Sequence, residues 1–194
     1  SLMQILLEVR KMNVLKMALV GYGHLGKWHA EKIARLHGDN FFAIVENDRS
    51  KHADLKNIYP NVLIVSNLDE VIDQIDAAVI ATPTTFHYDL AMKAIKKNKH
   101  CFVEKPMTSN LKESIELGDE LKKHPEIIFQ VGHSERFHPF WSDLLKKEKF
   151  ERVKTAKFNR LAPYKGRGDD VDIIFDLMIH DYDLLNYLNL GEPV

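Results

Sequence analysis

The 194-residue sequence predicts an α/β fold built on a doubly wound parallel sheet, and three observations carry that reading. Short apolar runs alternate with segments of helical period from Val14 to Val131, a glycine-rich turn directly follows the first run, and the periodicity changes after Gly132. The candidate strands are Leu15–Val20, Phe41–Val45, Val62–Val65, Ala77–Ala81, Cys101–Val103 and Ile127–Val131. Each is too short for a helix and is bounded by polar or turn residues. Between them Ala30, Ile33 and Ala34 recur at i, i+3, i+4, as one buried helix face requires, and Leu90, Ala91, Ala94 and Ile95 repeat the pattern. Leu111, Ile115, Gly118 and Leu121 predict a third such face. Beyond Gly132, Pro139–Lys147 reads as a helix and Lys154–Leu161 alternates as a strand does. The polar stretch Lys165–Asp172 then precedes a last helix, Ile173–Leu188. The domains are expected at 14–132 and 133–194.

Composition narrows the function class. Lys and Arg number 27 against 28 Asp and Glu, so no basic field exists to hold nucleic acid or an anionic membrane, and a small molecule is the expected partner. The single cysteine, Cys101, lies in the apolar run Cys101-Phe102-Val103, excludes an intrachain disulfide, and reads as a core residue in a reducing, cytoplasmic setting. No run approaches the roughly 18 apolar residues of a membrane helix. Near the start, Ile5, Leu6 and Leu7 are followed by Glu8, Arg10 and Lys11, the wrong charge order for a secretory signal, and Met3 and Met12 each fit a native start.

Gly21-Tyr22-Gly23-His24-Leu25-Gly26 fits G-x-G-x-x-G at the junction of the first strand and the first helix. Gly21 permits the tight turn, Gly23 lets the backbone approach a pyrophosphate, and Gly26 lets the helix pack on the strand, while the helix start offers free N–H groups to the anion. Glu46 closes the second strand roughly twenty residues later, where a carboxylate accepts hydrogen bonds from ribose hydroxyls. The pair predicts a Rossmann domain that binds NAD. Glu46 should repel a 2'-phosphate, whereas Arg49 could neutralise one, so NADP stays open. Thr82-Pro83-Thr84 follows the fourth strand, at the sheet edge where ligands of such folds collect, although a plain turn would look the same.

Glu104-Lys105-Pro106 ends the fifth strand, and Asp176-Leu177-Met178-Ile179-His180 lies on the last helix. On an α-helix Asp176, His180 and Asp183 fall in one stripe, with Ile174, Leu177, Met178, Asp181, Leu184, Leu185 and Leu188 mostly on another. Spacing alone makes the polar stripe a solvated face. Histidine and lysine are nonetheless side chains that suit a base of near-neutral pKa and a donor to a developing anion.

With the opening Gly21-Tyr22-Gly23-His24-Leu25-Gly26-Lys27-Trp28-His29-Ala30 and the crossover Gly132-His133-Ser134-Glu135-Arg136-Phe137-His138-Pro139, these motifs resemble the glucose-fructose oxidoreductase, inositol dehydrogenase and rhizopine-catabolism oxidoreductase family. The resemblance implies that Lys105 holds the substrate hydroxyl and nicotinamide region, that His180 is the acid/base, and that Asp176 orients or polarises the substrate. It also implies a cis Lys105–Pro106 bond that aims Lys105 into the cleft. The candidate cofactor contacts are Gly21, Gly23, His24, Leu25, Gly26, Glu46, Thr82, Pro83, His87, Glu104 and Lys105. His24, His29, His87, His133 and His138 lack metal-ligand spacing, and hydride transfer to nicotinamide needs no metal.

The family's second domain is an open, mostly antiparallel sheet, so the segment after Gly132 is expected to be the beginning of a truncated α+β domain. Gly191-Glu192-Pro193-Val194 reads like a loop entering a further strand, and the chain is expected to be a fragment of a homo-oligomer. Arg160–Arg167 followed by Asp169-Asp170-Val171-Asp172 resembles members acting on nucleotide sugars such as UDP-N-acetylglucosamine, where Lys165 and Arg167 would meet a diphosphate or else form a solvated loop. The rival to a sugar, polyol or nucleotide-sugar dehydrogenase is a non-catalytic dinucleotide sensor of the same fold. Lys105, Asp176 and His180 together favour the enzyme, because a sensor needs the glycines and not the proton-transfer set.

Overall fold

A computed structural model describes residues 15–147, 153, 155–159 and 174–188, without the side chains of residues 142, 145–147, 175 and 176. Contacts divide it into two units, between Gln130 and Val131.

The first unit is a sheet of β1 (Met17–Val20), β2 (Phe41–Val45), β3 (Leu63–Val65), β4 (Ala77–Ile80), β5 (His100–Val103) and β6 (Phe129–Val131), in the order β3-β2-β1-β4-β5-β6. Pairings β2–β3, β1–β2, β1–β4 and β4–β5 are parallel, with Leu19 opposite Ile44 on one side and Val79 on the other. Parallel strands covered on both faces should be apolar at consecutive positions, and β1 and β2 are. Side chains alternate across the sheet. Ala18, Val20, Ala43, Val45, Ala78 and Ile80 pack one core with Ala91, Ala94 and Ile95 of α3 (His87–Lys96) and Leu117 of α4 (Leu111–Leu121). Leu19 and Ile44 face the opposite core, with Ala30 and Ile33 of α1 (His24–His37) and Leu55 of α2 (His52–Ile58). Strand order reverses between β1 and β4. Their carboxyl ends therefore open the crevice in which doubly wound sheets hold ligands.

The six strands match the apolar runs to within two residues at each end, but two helical expectations change. The sequence reading leaves α2 out, because only Leu55 in its seven residues is buried and no apolar period marks it. On α4 the buried face is not the one expected: Leu111 and Ile115 are exposed, while Leu117 is buried with Ser114, Gly118 and Leu121 beside it. On that face Ser114 Oγ lies 2.5 Å from Thr108 Oγ1.

In the second unit, a 3-10 turn at Ser134–Phe137 precedes α5 (Pro139–Lys147). A π-helical turn at Ile174–Met178 then leads into α6 (Ile179–Tyr187). The strand expected at Lys154–Leu161 is not seen in residues 155–159, which are irregular and mostly exposed. Alternation alone does not hold a strand without a neighbour to pair with. Lys165–Asp172 and Arg160–Arg167 lie wholly outside the described residues.

Candidate functional site

The glycine turn leaves β1 with Gly21 at φ +91° and its N–H donated to Val45 O at 2.8 Å. A Cβ on Gly21 would stand 2.9 Å from Ala81 O, and one on Gly26 would stand 2.1 Å from Gly21 O, so both positions are closed to side chains by backbone. Gly23 differs. It has an ordinary extended backbone, and nothing lies within 4 Å of where its Cβ would be. It caps α1 without any side-chain hydrogen bond, and the first turn, where His24 and Leu25 are exposed, carries no acidic residue. The N-terminal N–H groups of α1 thus face open space with the positive end of the helix dipole behind them.

Glu46 follows β2 with only 5% of its surface exposed. Its Oε2 accepts the N–H of Tyr22 at 3.1 Å, and its Oε1 accepts the N–H of Asp48 at 3.0 Å. A carboxylate has about four acceptor directions, so these bonds leave capacity for hydroxyl donors. Lys51 Nζ stands 3.4 Å from Oε2. Arg49, the cation singled out in the sequence, instead gives its Nε–H to Ser66 Oγ at 3.1 Å.

Across the crevice, Thr82 and Pro83 leave β4. The Thr82 methyl would lie 2.9 Å from a Cβ on Gly21, and its buried Oγ1 has no hydrogen-bond partner among the described residues. A buried hydroxyl left unpaired is costly, and one at a switch-point crevice is suited to a ligand's polar group. His87, expected among the cofactor contacts, is buried with both ring nitrogens at backbone carbonyls, those of Thr82 and Pro106. Its ring supports the crevice from behind and does not face it.

At the end of β5, Glu104 and Lys105 are half-buried and the Lys105–Pro106 peptide is cis. Glu104 Oε2 accepts the Lys105 N–H at 3.2 Å, and Oε1 lies 2.7 Å from His29 Nε2. His29 also sets its ring edge-on to Phe102, with centroids 5.2 Å apart. The sequence reading assigns His29 no role, yet its place in the helix that leaves the glycine turn is the available signal.

In the second unit, His180 is half-buried on the first turn of α6 and Asp176 lies on the preceding π turn. The side chain of Asp176 is outside those described. Because a π turn bonds i to i+5, the regular stripe drawn through Asp176, His180 and Asp183 is not preserved across Met178. Nor is the stripe a solvated face. Asp183 is buried, accepting Arg136 Nε–H at 2.7 Å on Oδ2 and Arg136 Nη2–H on Oδ1, with His133 Nε2 3.7 Å from Oδ1. The apolar residues also divide: Leu184 and Leu188 are buried, while Leu177 and Met178 are exposed.

A family model described as an oxidoreductase family with an NAD-binding Rossmann fold matches residues 15–133. The chain belongs to the Gfo/Idh/MocA oxidoreductase family. It is 34% identical over 186 residues to UDP-N-acetylglucosamine 3-dehydrogenase of Acidithiobacillus ferrooxidans, covering 93% of this chain and 56% of that protein. It is 29% identical over 195 residues to scyllo-inositol 2-dehydrogenase (NAD(+)) of Bacillus subtilis, covering 93% and 55%. A solved structure of the Acidithiobacillus enzyme superposes with a TM-score of 0.83 at 31% identity, over 93% of this chain and 58% of that one. The chain thus spans about half the length of the curated relatives it matches. For a family whose fold binds NAD, the open N-terminus of α1, the acceptor at Glu46 and the unpaired hydroxyl of Thr82 form a fitting site. Among the described residues, no helix is long and apolar enough to cross a membrane.

Proposed function

We propose that this chain is the cofactor-binding half of an NAD-dependent dehydrogenase acting on a secondary alcohol of a sugar, polyol or nucleotide sugar. The observation that carries the reading is Lys105, presented at the carboxyl end of β5 by a chain that belongs to an NAD-binding oxidoreductase family. Gly21, Gly23 and Gly26 with the first turn of α1 would hold the pyrophosphate, Glu46 the adenosine ribose, and Thr82 and Pro83 the crevice wall. Bound there, nicotinamide supplies a hydride acceptor or donor. Lys105 holds the substrate oxygen through its ammonium donors, His180 takes the hydroxyl proton on a ring nitrogen, and Asp176 orients the substrate. Glu46 favours NAD over NADP by charge repulsion of a 2'-phosphate.

Among substrate classes, a nucleotide sugar is favoured by the 34% identity to UDP-N-acetylglucosamine 3-dehydrogenase. A cytoplasmic setting agrees with a single, buried cysteine, and assembly of the whole protein into a homo-oligomer belongs to the same reading. The test is nicotinamide reduction by the whole protein against nucleotide sugars and polyols, beside a His180→Ala variant. His180→Ala should lose roughly 10²–10⁴ in kcat with cofactor affinity nearly unchanged. Full kcat in that variant, or no turnover on any member of the panel, would overturn the assignment.

A further inference from the structure

His87 opens α3 with 1% of its surface exposed, and both of its ring nitrogens are engaged. Nε2 lies 2.9 Å from the carbonyl oxygen of Thr82, and Nδ1 lies 2.8 Å from that of Pro106. These carbonyls belong to two different loops, one leaving β4 and one leaving β5. The first packs its Thr82 methyl on Gly21 of the glycine turn, and the second follows Lys105 by a single peptide. One buried ring therefore touches the backbone of both loops that form this side of the crevice.

We infer that His87 is a positioning residue, a brace that fixes the Thr82–Pro83 turn relative to the Lys105–Pro106 turn and so sets the dinucleotide crevice between them. The crevice half of this inference rests on the proposed cofactor site. The brace itself rests on the two contacts. Both partners are acceptors, so a neutral ring, with one N–H, bonds one loop at a time according to its tautomer while packing its other nitrogen against the second, and only a doubly protonated ring bonds both together. With both nitrogens facing backbone and almost no exposed surface, the ring acts on a ligand through the loops it holds. An apolar side chain of similar bulk would fill the space and offer neither carbonyl a donor.

The two contacts can be separated chemically. A glutamine amide takes the place of Nε2 and an asparagine amide takes the place of Nδ1, so His87→Gln keeps the bond to Thr82 and His87→Asn keeps the bond to Pro106. Hydrogen exchange of the 194-residue chain, followed by mass spectrometry, should show faster exchange over residues 104–108 in His87→Gln with 82–86 protected. His87→Asn should show the reverse. His87→Leu, which keeps bulk alone, should loosen both segments. NADH affinity, read by fluorescence titration, should fall on the order of tenfold in His87→Leu, because a crevice no longer held in place must be ordered on binding. Unchanged exchange in both segments of all three variants would overturn the brace. Wild-type NADH affinity in His87→Leu would overturn the crevice half of the inference. Absence of NADH binding by the unsubstituted chain would instead overturn the cofactor reading, and loop-selective exchange would then decide the brace alone.

Discussion

The carboxylate of Glu46 accepts the amide N–H of Tyr22 at 3.1 Å, so the acidic residue that ends β2 is bonded to the glycine turn itself. This one contact joins the two parts of the sequence fingerprint. On the proposed cofactor reading, it sets negative charge against a 2'-phosphate and ties that charge to the loop that would carry the pyrophosphate. Lys51, 3.4 Å from the same oxygen, offsets part of the charge without removing it. NAD(H) should bind more tightly than NADP(H) by at least about tenfold, or ~1.4 kcal/mol, and Glu46→Ala should erase most of that ratio. Calorimetric titration of both cofactors into both proteins measures it, and tighter NADP(H) binding by the unsubstituted chain would refute it. Glu46→Ala should also lower stability by about 1–2 kcal/mol, since two backbone donors lose a charged acceptor.

The sheet was legible in the sequence because parallel strands covered on both faces are written as uninterrupted apolar runs, and the glycine turn because its backbone leaves no room for a Cβ at Gly21 or Gly26. What escaped the sequence reading shares a different physics. The buried face of α4 centres on Leu117 and leaves Leu111 and Ile115 exposed, a choice set by what the helix packs against and not by its own apolar spacing. The pairing of His29 with Glu104 joins positions 75 residues apart, which no local period reveals. Asp183 looked solvated because a helical stripe of acids usually is, but its partner Arg136 comes from a turn 47 residues earlier.

Burial pushes the Cys101 thiol up to about 12, from 9.0, and the side chain lies inside β5 beneath α3. The folded chain therefore holds it as the neutral thiol, whose reaction with disulfide reagents is slow because the thiolate is the nucleophile. In the native chain at pH 8 a thiol-reactive dye should label Cys101 negligibly within an hour, and in denaturant it should label it fully. Because the folded value is the higher one, the associated stability is complete below about pH 9 and is lost progressively as pH rises toward 12. Rapid native labelling at pH 8 would show the strand to be open.

Arg136 and Asp183 form a bidentate pair in the second unit with unequal surroundings, since the carboxylate is 5% exposed and the guanidinium 41%. Arg136→Ala removes both donors of the bidentate pair from a buried carboxylate and should cost about 2–3 kcal/mol, below the full buried-pair range because half the pair is wet. Asp183→Ala frees a guanidinium that water can reach and should cost about 1 kcal/mol from the lost pair, plus a small packing loss. The double variant should be more stable than Arg136→Ala alone. Urea unfolding followed on α6 by hydrogen exchange reads the difference, and equal losses in the two single variants would show that burial of Asp183 does not set the cost.

Gly23 and Gly26 stand three residues apart in the same turn and should respond to alanine in opposite ways. At Gly26 the new methyl would lie 2.1 Å from Gly21 O, a backbone atom that can retreat only by moving β1 or α1. Gly26→Ala should therefore lower stability on the order of 3 kcal/mol, the upper part of the range for overpacking, whether or not a cofactor is present. At Gly23 the backbone is extended and nothing lies within 4 Å of the added Cβ, so Gly23→Ala should melt within a degree or two of the unsubstituted chain. Apart from the modest preference for glycine over alanine at the N-cap of α1, the protein thus gives no reason of its own for a glycine there. If the glycine is required because a pyrophosphate approaches the α1 N-terminus at that point, the methyl occupies the ligand's space, and NADH affinity should fall at least about tenfold. Thermal melting and NADH titration of the two variants side by side separate these effects. Unaltered NADH affinity in Gly23→Ala, with stability intact, would show that the dinucleotide does not pass over the turn between β1 and α1.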